Sequence, residues 1–248
     1  MPLATLDFAD RIATLTLRRA DARNALSVAL LADLHTCVDQ LFTRSGVSVC
    51  VMTGEGKSFC AGMDLKAVLD DAAKARELLH SLADLTLKIR RLPMVTLAKV
   101  NGAAIGGGCG LACVCDIAIT HADSKMGYPE VDLGVCPAVV APWLVKKIGA
   151  GRARRALLTG GLMSGQEAHA IGIADHLVAT AADLDPAATE LATRLAQGGP
   201  HALRTTKELL NTIDGSTDAT LVKRGADLSA DVLQTPQTQA ALRSKMSK

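Results

Sequence analysis

The stretch NGAAIGGGCGLACVCD, residues 101–116, places five glycines within nine positions, directly before an apolar run. Glycine has no Cβ, so a ligand can approach the main chain closely at such a turn. The run that follows predicts a short buried helix at 107–115. Because the first N–H groups of a helix have no internal partner and lie at the positive end of its dipole, this turn predicts a site for an anion or a polarised oxygen.

Counting excludes two phosphate-binding motifs. The segment GEGKS at 54–58 resembles the end of a P-loop, but that motif needs a glycine five residues before Gly56, where the chain has Val51. A dinucleotide fingerprint starting at Gly106 needs a glycine at 111, where the chain has Leu111. Both failures favour a carbonyl oxygen as the ligand. A second donor for that oxygen is available in SFCAGMDLK at 58–66, a small-residue turn that opens another helix.

Hydrophobic periodicity predicts strands that alternate with helices over the first 180 residues, and this favours an α/β fold with largely parallel pairing. Ser27 is predicted to cap the first helix. After residue 183 the pattern is helical, with breaks at 198–200, 214–215 and 236. The predicted strands are 11–18, 47–53, 95–102 and 116–121, and the longest predicted helix is 66–91.

Composition excludes several classes of protein. The net charge of +2 is too balanced for general nucleic-acid binding, and no window has the length of a membrane span. The N-terminus shows no signal peptide. The seven cysteines are an odd number, and no two of them form a C-x-x-C pair. We therefore expect a cytoplasmic protein with reduced thiols, no metal site, and no nucleic-acid or membrane partner.

Four ordered segments resemble the crotonase superfamily of enoyl-CoA hydratases and isomerases. They are ARNALS (22–27), GEGKSFCAGMDLK (54–66), VNGAAIGGGCGLACVCDIAI (100–119) and MGYPEVDLGVCP (126–137), and the likeness continues through 157–178. The resemblance implies a spiral core of repeated ββα units at 1–180 and a helical region at 181–248 that closes the pocket and mediates assembly. It also implies an acyl-CoA substrate, no further cofactor, and a homotrimer or a dimer of trimers.

By motif position, the resemblance implies that the backbone N–H groups of Met63 and Gly107 bind the thioester oxygen and stabilise its enolate. In such a hole each donor is worth roughly 3 kcal/mol of barrier. The family's binding of CoA implies contacts from Arg23, Ala25, Ala61, Asp64, Leu65 and Lys66.

The acid–base residues depart from the hydratase pattern. Hydratases of this family carry two glutamates, and the matching positions here are Glu130 and Gly110, which has no side chain. A lone Glu130 with a pKa raised by burial favours double-bond isomerisation. The segment VCPAVVAPWLVKKIGAGRARRALLTG (135–160) instead is similar to bacterial methylglutaconyl-CoA hydratase-type members. We favour hydration and keep three alternatives: isomerisation, decarboxylation of an acyl-CoA, and a silent thioester or RNA binder.

Other polar residues have less support. His80 lies in the region where the resemblance places a catalytic histidine in some relatives, and Tyr128 and Asp132 flank Glu130 as candidates to orient a water. Cys60 and Cys109 flank the proposed oxyanion loops but have no activating histidine, so we expect buried, inert thiols.

Overall fold

Two sheets form the framework of the structure, a computed structural model that describes residues 1–246. The first has the strand order β1-β2-β3-β5-β7-β10 and the second β4-β6-β8-β9. Among residues 1–246, the pairs β1–β2 and β8–β9 are antiparallel and all others are parallel. In chain order the strands are β1 (Ala4–Ala9), β2 (Ile12–Leu17), β3 (Val49–Gly54), β4 (Ser58–Cys60), β5 (Val95–Val100), β6 (Ala103–Ile105), β7 (Ile117–His121), β8 (Lys125–Gly127), β9 (Leu162–Ser164) and β10 (His176–Val178).

Strands β3, β5 and β7 of the first sheet are each followed by a short strand of the second sheet and then by a helix, which confirms the predicted ββα repeat. The units are β3–β4 and β5–β6, with β7–β8 as the third. The helices are α1 (Val28–Thr43), α2 (Leu65–Val68), α3 (Ala72–Arg91), α4 (Gly107–Val114), α5 (Ala141–Ile148), α6 (Ala150–Thr159), α7 (Gly165–Ile171), α8 (Leu184–Ala196), α9 (Pro200–Ile213), α10 (Thr220–Leu233) and α11 (Pro236–Met246).

Local signals explain where the helices begin. The Ser27 hydroxyl accepts a hydrogen bond from the Leu30 N–H at 3.2 Å and caps α1 as predicted. The prediction of one continuous helix at 66–91 is wrong, because Asp70 has a φ of +63° and ends the first turn. Asp71 then caps α3 by accepting from the Lys74 N–H at 2.9 Å.

The core lies between the sheets and the helices and is built mainly from leucine, valine and alanine, as the 2% of aromatic residues requires. Helix α4 is buried over its whole length. On the other face of the first sheet, α8 packs through Leu184, Ala188 and Ala192. The predicted boundary between 180 and 181 stays a prediction. Among residues 1–246, no helix combines the length and the apolar character needed to cross a bilayer.

The C-terminal helices contact the loop that leads into α5. A Cβ on Gly225 of α10 would lie 2.2 Å from the Ala138 carbonyl oxygen, so the two backbones are in direct contact. The Ser229 hydroxyl donates to the Cys136 carbonyl oxygen at 2.8 Å and accepts from the Ala138 N–H at 3.1 Å. Helix α10 thereby holds the segment 136–138 in place.

Candidate active site

Two glycine loops leave the same edge of the second sheet. Strands β4 and β6 are parallel neighbours, with Cys60 opposite Ala104, so the turns that follow them lie side by side. A Cβ built on Gly62 would lie 2.6 Å from the Ile105 carbonyl oxygen and 3.7 Å from the Gly107 nitrogen. Because Gly62 also has a φ of +87°, glycine alone allows the loops to approach this closely.

Each loop presents an N–H group with no acceptor among residues 1–246, that of Met63 in the first loop and that of Gly107 in the second. In α4 the first internal hydrogen bond runs from the Gly110 N–H to the Gly106 carbonyl, which leaves the Gly107 N–H without an acceptor. In the other loop the Leu26 N–H donates to the Gly62 carbonyl, and the Asp64 N–H donates to the Leu26 carbonyl. These two bonds lie on either side of Met63 and do not involve the Met63 N–H.

Met63 and Gly107 both line a cavity of about 80 Å³. Ala61 and Leu65, predicted to contact CoA, line it too, together with Glu130. Arg23, Ala25, Asp64 and Lys66 do not. The complete lining is Ala61, Gly62, Met63, Leu65, Leu79, Leu82, Ile105, Gly106, Gly107, Pro129, Glu130, Leu133, Val135, Cys136, Pro137, Val139 and Val140.

Glu130 is the single acidic side chain of that lining. It precedes a 3-10 turn, Val131–Leu133, and its carboxylate lies against the backbone of Gly106. The Oε2 atom is buried and has no hydrogen-bond partner among the described residues. Burial raises the pKa of Glu130 to about 7, as the sequence predicts, because the charged form loses its hydration.

Position 110 has no space for the second carboxylate of the hydratase pattern. A Cβ on Gly110 would lie 2.3 Å from Cγ1 and 2.8 Å from Cβ of Val140, whose side chain lines the cavity. An apolar wall therefore occupies the place where a side chain at 110 would project.

The remaining residues predicted for CoA lie on the segments beside the cavity. The Arg23 carbonyl accepts from the Ala61 N–H at 3.0 Å, so the chain before α1 runs along the first glycine loop. Asp64 caps α2 and pairs with Arg19 at 2.8 Å, whereas the Lys66 side chain is exposed. Their part in binding CoA stays a prediction.

The three candidates with less support lie outside the cavity and have other partners. His80 Nε2 is 3.0 Å from Asp227 Oδ1, and the buried Tyr128 hydroxyl is 3.4 Å from Cys113 Sγ. Asp132 accepts a hydrogen bond from the Gly161 N–H at 2.8 Å. None of the three belongs to the lining of the cavity.

The two thiols that flank the loops are buried, as predicted. Burial raises the pKa of the Cys60 thiol to about 12. The hydrogen bond with the Cys113 thiol, together with burial, holds the pKa of the Cys109 thiol well above its ordinary value. Neither is an available nucleophile at neutral pH.

Sequence reasoning missed two asparagines that hold the loops. Asn24, with a φ of +56°, donates to the carbonyls of Glu55 and Ser58. Asn101 donates to the carbonyls of Gly54 and Gly56. Asparagine tolerates the left-handed conformation, and the Asn-Gly pair at 101–102 marks a turn, so both residues had a local signal.

A lone acid with a buried Oε2 atom shares one cavity with two backbone amides, on a spiral of ββα units, and this arrangement is typical of an enzyme. The family described as enoyl-CoA hydratase/isomerase matches residues 7–247, and the chain belongs to this family. The resemblance stated from the motifs is thereby confirmed, while the narrower likeness to methylglutaconyl-CoA hydratases stays a prediction.

Similar proteins agree in sequence and in fold. The chain is 32% identical to the 2,3-dehydroadipyl-CoA hydratase of Escherichia coli over 81% of this chain and 78% of that protein. An enoyl-CoA hydratase from Mycobacterium avium superposes with a TM-score of 0.88 at 28% identity, covering 99% and 96% of the two chains. An enoyl-CoA hydratase from Bacillus halodurans superposes with a TM-score of 0.90 at 21% identity, covering 98% of this chain and 99% of the other. At this identity the likeness is one of fold.

Proposed function

We propose that this enzyme adds water to a 2-enoyl-CoA thioester to give the 3-hydroxyacyl-CoA, with Glu130 as its one acid–base residue. The observation that supports it is the position of that carboxylate, whose Oε2 atom is buried without a hydrogen-bond partner among the described residues, in the cavity that Met63 and Gly107 also line. The family membership supports the acyl-CoA substrate.

In the proposed reaction the thioester oxygen accepts hydrogen bonds from the N–H groups of Met63 and Gly107. Negative charge develops on this oxygen as an enolate forms, so the donors stabilise the transition state more than the substrate. The mostly apolar lining lowers the local dielectric and strengthens both hydrogen bonds. Glycine at 106 and 107 keeps side chains away from the oxygen's path.

Glu130 then completes the proton balance alone. Its carboxylate takes a proton from water as the water oxygen attacks the β-carbon, and the resulting carboxylic acid returns that proton to the α-carbon of the enolate. The residue ends in its starting state, so a second acid is not required by stoichiometry. A pKa near 7 suits both transfers, because acid and base forms are then both accessible near neutral pH.

A second candidate is isomerisation of a 3-enoyl-CoA to a 2-enoyl-CoA. It is favoured by the contact between Gly110 and Val140, which leaves the cavity without a second carboxylate to hold water. Here Glu130 removes a proton from the α-carbon and returns it to the γ-carbon, through the same enolate. Both reactions use the same groups and differ in whether water enters.

We further propose that the chain assembles as a homotrimer or a dimer of trimers in the cytoplasm and needs no cofactor beyond the CoA of its substrate. Apolar side chains exposed on α9 and α10 support assembly: Leu209, Leu210, Ile213 and Leu221 are 55–72% exposed. Light scattering after size exclusion measures the mass of the assembly.

Incubation of the purified protein with crotonyl-CoA, 3-hexenoyl-CoA and 3-methylglutaconyl-CoA, followed by mass spectrometry, tests the proposal. A gain of water supports hydration, and a shift of the double bond without change of mass supports isomerisation. Loss of carbon dioxide would replace both by decarboxylation. No turnover, with thioester or RNA binding retained in calorimetry, would overturn the enzyme proposal.

A further inference from the structure

The part of the cavity that lies beyond the two glycine loops is lined almost entirely by hydrocarbon side chains. Beyond the two glycine loops its walls come from leucines of α3, such as Leu79 and Leu82, and from the segment 133–140. Glu130 and the thiol of Cys136 are its polar side chains among the described residues. An acyl group that enters here therefore exchanges water for apolar contacts.

Among residues 1–246, no lysine, arginine or histidine lines this cavity. A second carboxylate on the substrate would thus have no cation to pair with and would face Glu130, a group of its own charge. Burying an unpaired charge is costly, and a like charge nearby adds to that cost. Both effects oppose the entry of a dicarboxylic acyl group.

Val140 separates the same cavity from the backbone of α4 at Gly110. Its Cγ1 atom occupies the space beside Gly110, where even a Cβ would lie 2.3 Å away, so the valine packs directly on the backbone of α4. Val140 also belongs to the lining of the cavity of about 80 Å³. A smaller residue at 140 would extend the apolar space toward α4.

We infer that the enzyme selects short, uncharged aliphatic enoyl-CoA thioesters over dicarboxylic ones, and that Val140 is the residue that determines acyl length. The inference rests on the proposed function for the identity of the reaction, but the ranking of substrates is separate from it. Its basis is the missing cation, the lone acid and the packing of Val140 on Gly110.

A matched pair of substrates tests the charge discrimination. 2-Pentenoyl-CoA and glutaconyl-CoA have the same number of acyl carbons and differ in a terminal methyl group against a carboxylate. We expect kcat/KM for the neutral thioester to be about 10²-fold higher. Equal values, or a preference for glutaconyl-CoA, would overturn the inference while leaving the reaction intact. Turnover of neither, nor of crotonyl-CoA or 3-hexenoyl-CoA, would contradict the proposed function itself.

Val140→Ala tests the length determinant. We expect the ratio of kcat/KM for 2-hexenoyl-CoA over crotonyl-CoA to rise about 10-fold in this variant. This ratio is independent of the active fraction, so partial unfolding does not imitate the effect. Val49→Ala is the matched control, because it removes the same two methyl groups from the core on the α8 face of the sheet. An unchanged ratio in Val140→Ala, or an equal rise in the control, would overturn the role of Val140.

Discussion

The Glu130 carboxylate lies directly against the Cα of Gly106, so closely that a Cβ at position 106 would be 2.4 Å from Oε1. Gly106 also has a φ of +53° and precedes the first residue of α4. The glycine loop therefore has two functions at once: it exposes the Gly107 amide, and it leaves space for the acid that faces the same cavity.

Gly106→Ala is expected to inactivate the enzyme, with a fall in kcat of about 10²-fold or more, since the methyl group must displace Glu130 or the loop. Gly149→Ala is the control. Its φ of +79° imposes comparable backbone strain, but a Cβ there would meet nothing within 4 Å. We expect similar thermal stability for the two variants and normal kcat in the control. Normal turnover by Gly106→Ala would contradict the placement of the acid.

The pH dependence of turnover follows from the environment of Glu130. Because burial raises its pKa to about 7, kcat/KM is expected to rise with pH through that value as the carboxylate becomes available as a base, and then to level off. Glu130→Gln is expected to lose about 10²–10⁴-fold in kcat and to retain CoA-ester binding. Full turnover in that variant, or a rise centred near pH 4.5, would contradict the assignment.

The same residue should make stability depend on pH. A carboxyl group whose pKa is 4.5 when unfolded and about 7 when folded stabilises the fold below pH 4.5, and the contribution is lost as pH rises through 7. Replacement by the neutral glutamine removes that dependence. The unfolding free energy of Glu130→Gln minus that of the parent protein should therefore rise by about 2–3 kcal/mol from pH 5 to pH 8. Urea titrations of both proteins at pH 5 and pH 8 measure this difference. The same change in unfolding free energy with pH for the two proteins would refute the prediction.

Local patterns in the sequence were sufficient for most of the framework. The cap at Ser27, the buried start of α4 and the ββα alternation depend on neighbours within a few residues, and each was predicted. The break at Asp70 was missed because the apolar periodicity of 66–91 continues on both sides of it. A left-handed aspartate is a conformational choice that hydrophobic spacing does not reveal.

The candidate site was predictable where a motif named a residue and unpredictable where distant segments meet. Glu130, Met63 and Gly107 were selected by position and the structure brings them to one cavity. The filling of the space beside Gly110 by Val140, thirty residues away, was not foreseen, because it depends on the approach of α5 to α4. The partners of Tyr128 and Asp132, whose roles the sequence leaves open, are Cys113 and Gly161, and these contacts also join separate segments.

Asn24 is expected to position the first glycine loop without touching the substrate. Its side chain accepts from the Arg19 N–H at 2.9 Å and donates to two carbonyls, so Asn24→Ala should lower stability by about 2–4 kcal/mol and reduce kcat/KM. Asn211→Ala is the control, since Asn211 is also buried but bonds to Arg90 and Ser216, away from the cavity. Urea titration should show a loss in both variants. An equal loss of kcat/KM per active molecule in the control would contradict the positioning role.

Cys136 should be the first of the seven cysteines to react with N-ethylmaleimide, because it alone is partly exposed and it lines the cavity. Burial, with the nearby Glu130 charge, raises the pKa of its thiol, so the reaction should accelerate about 10-fold per pH unit between pH 7 and 9. The adduct fills the cavity, and turnover should fall in proportion to labelling measured by intact mass. A saturating CoA ester should protect the thiol, and Cys136→Ser should lack the fast phase. First labelling at Cys37, or a fully labelled enzyme with normal turnover, would contradict the placement of this thiol beside the acid.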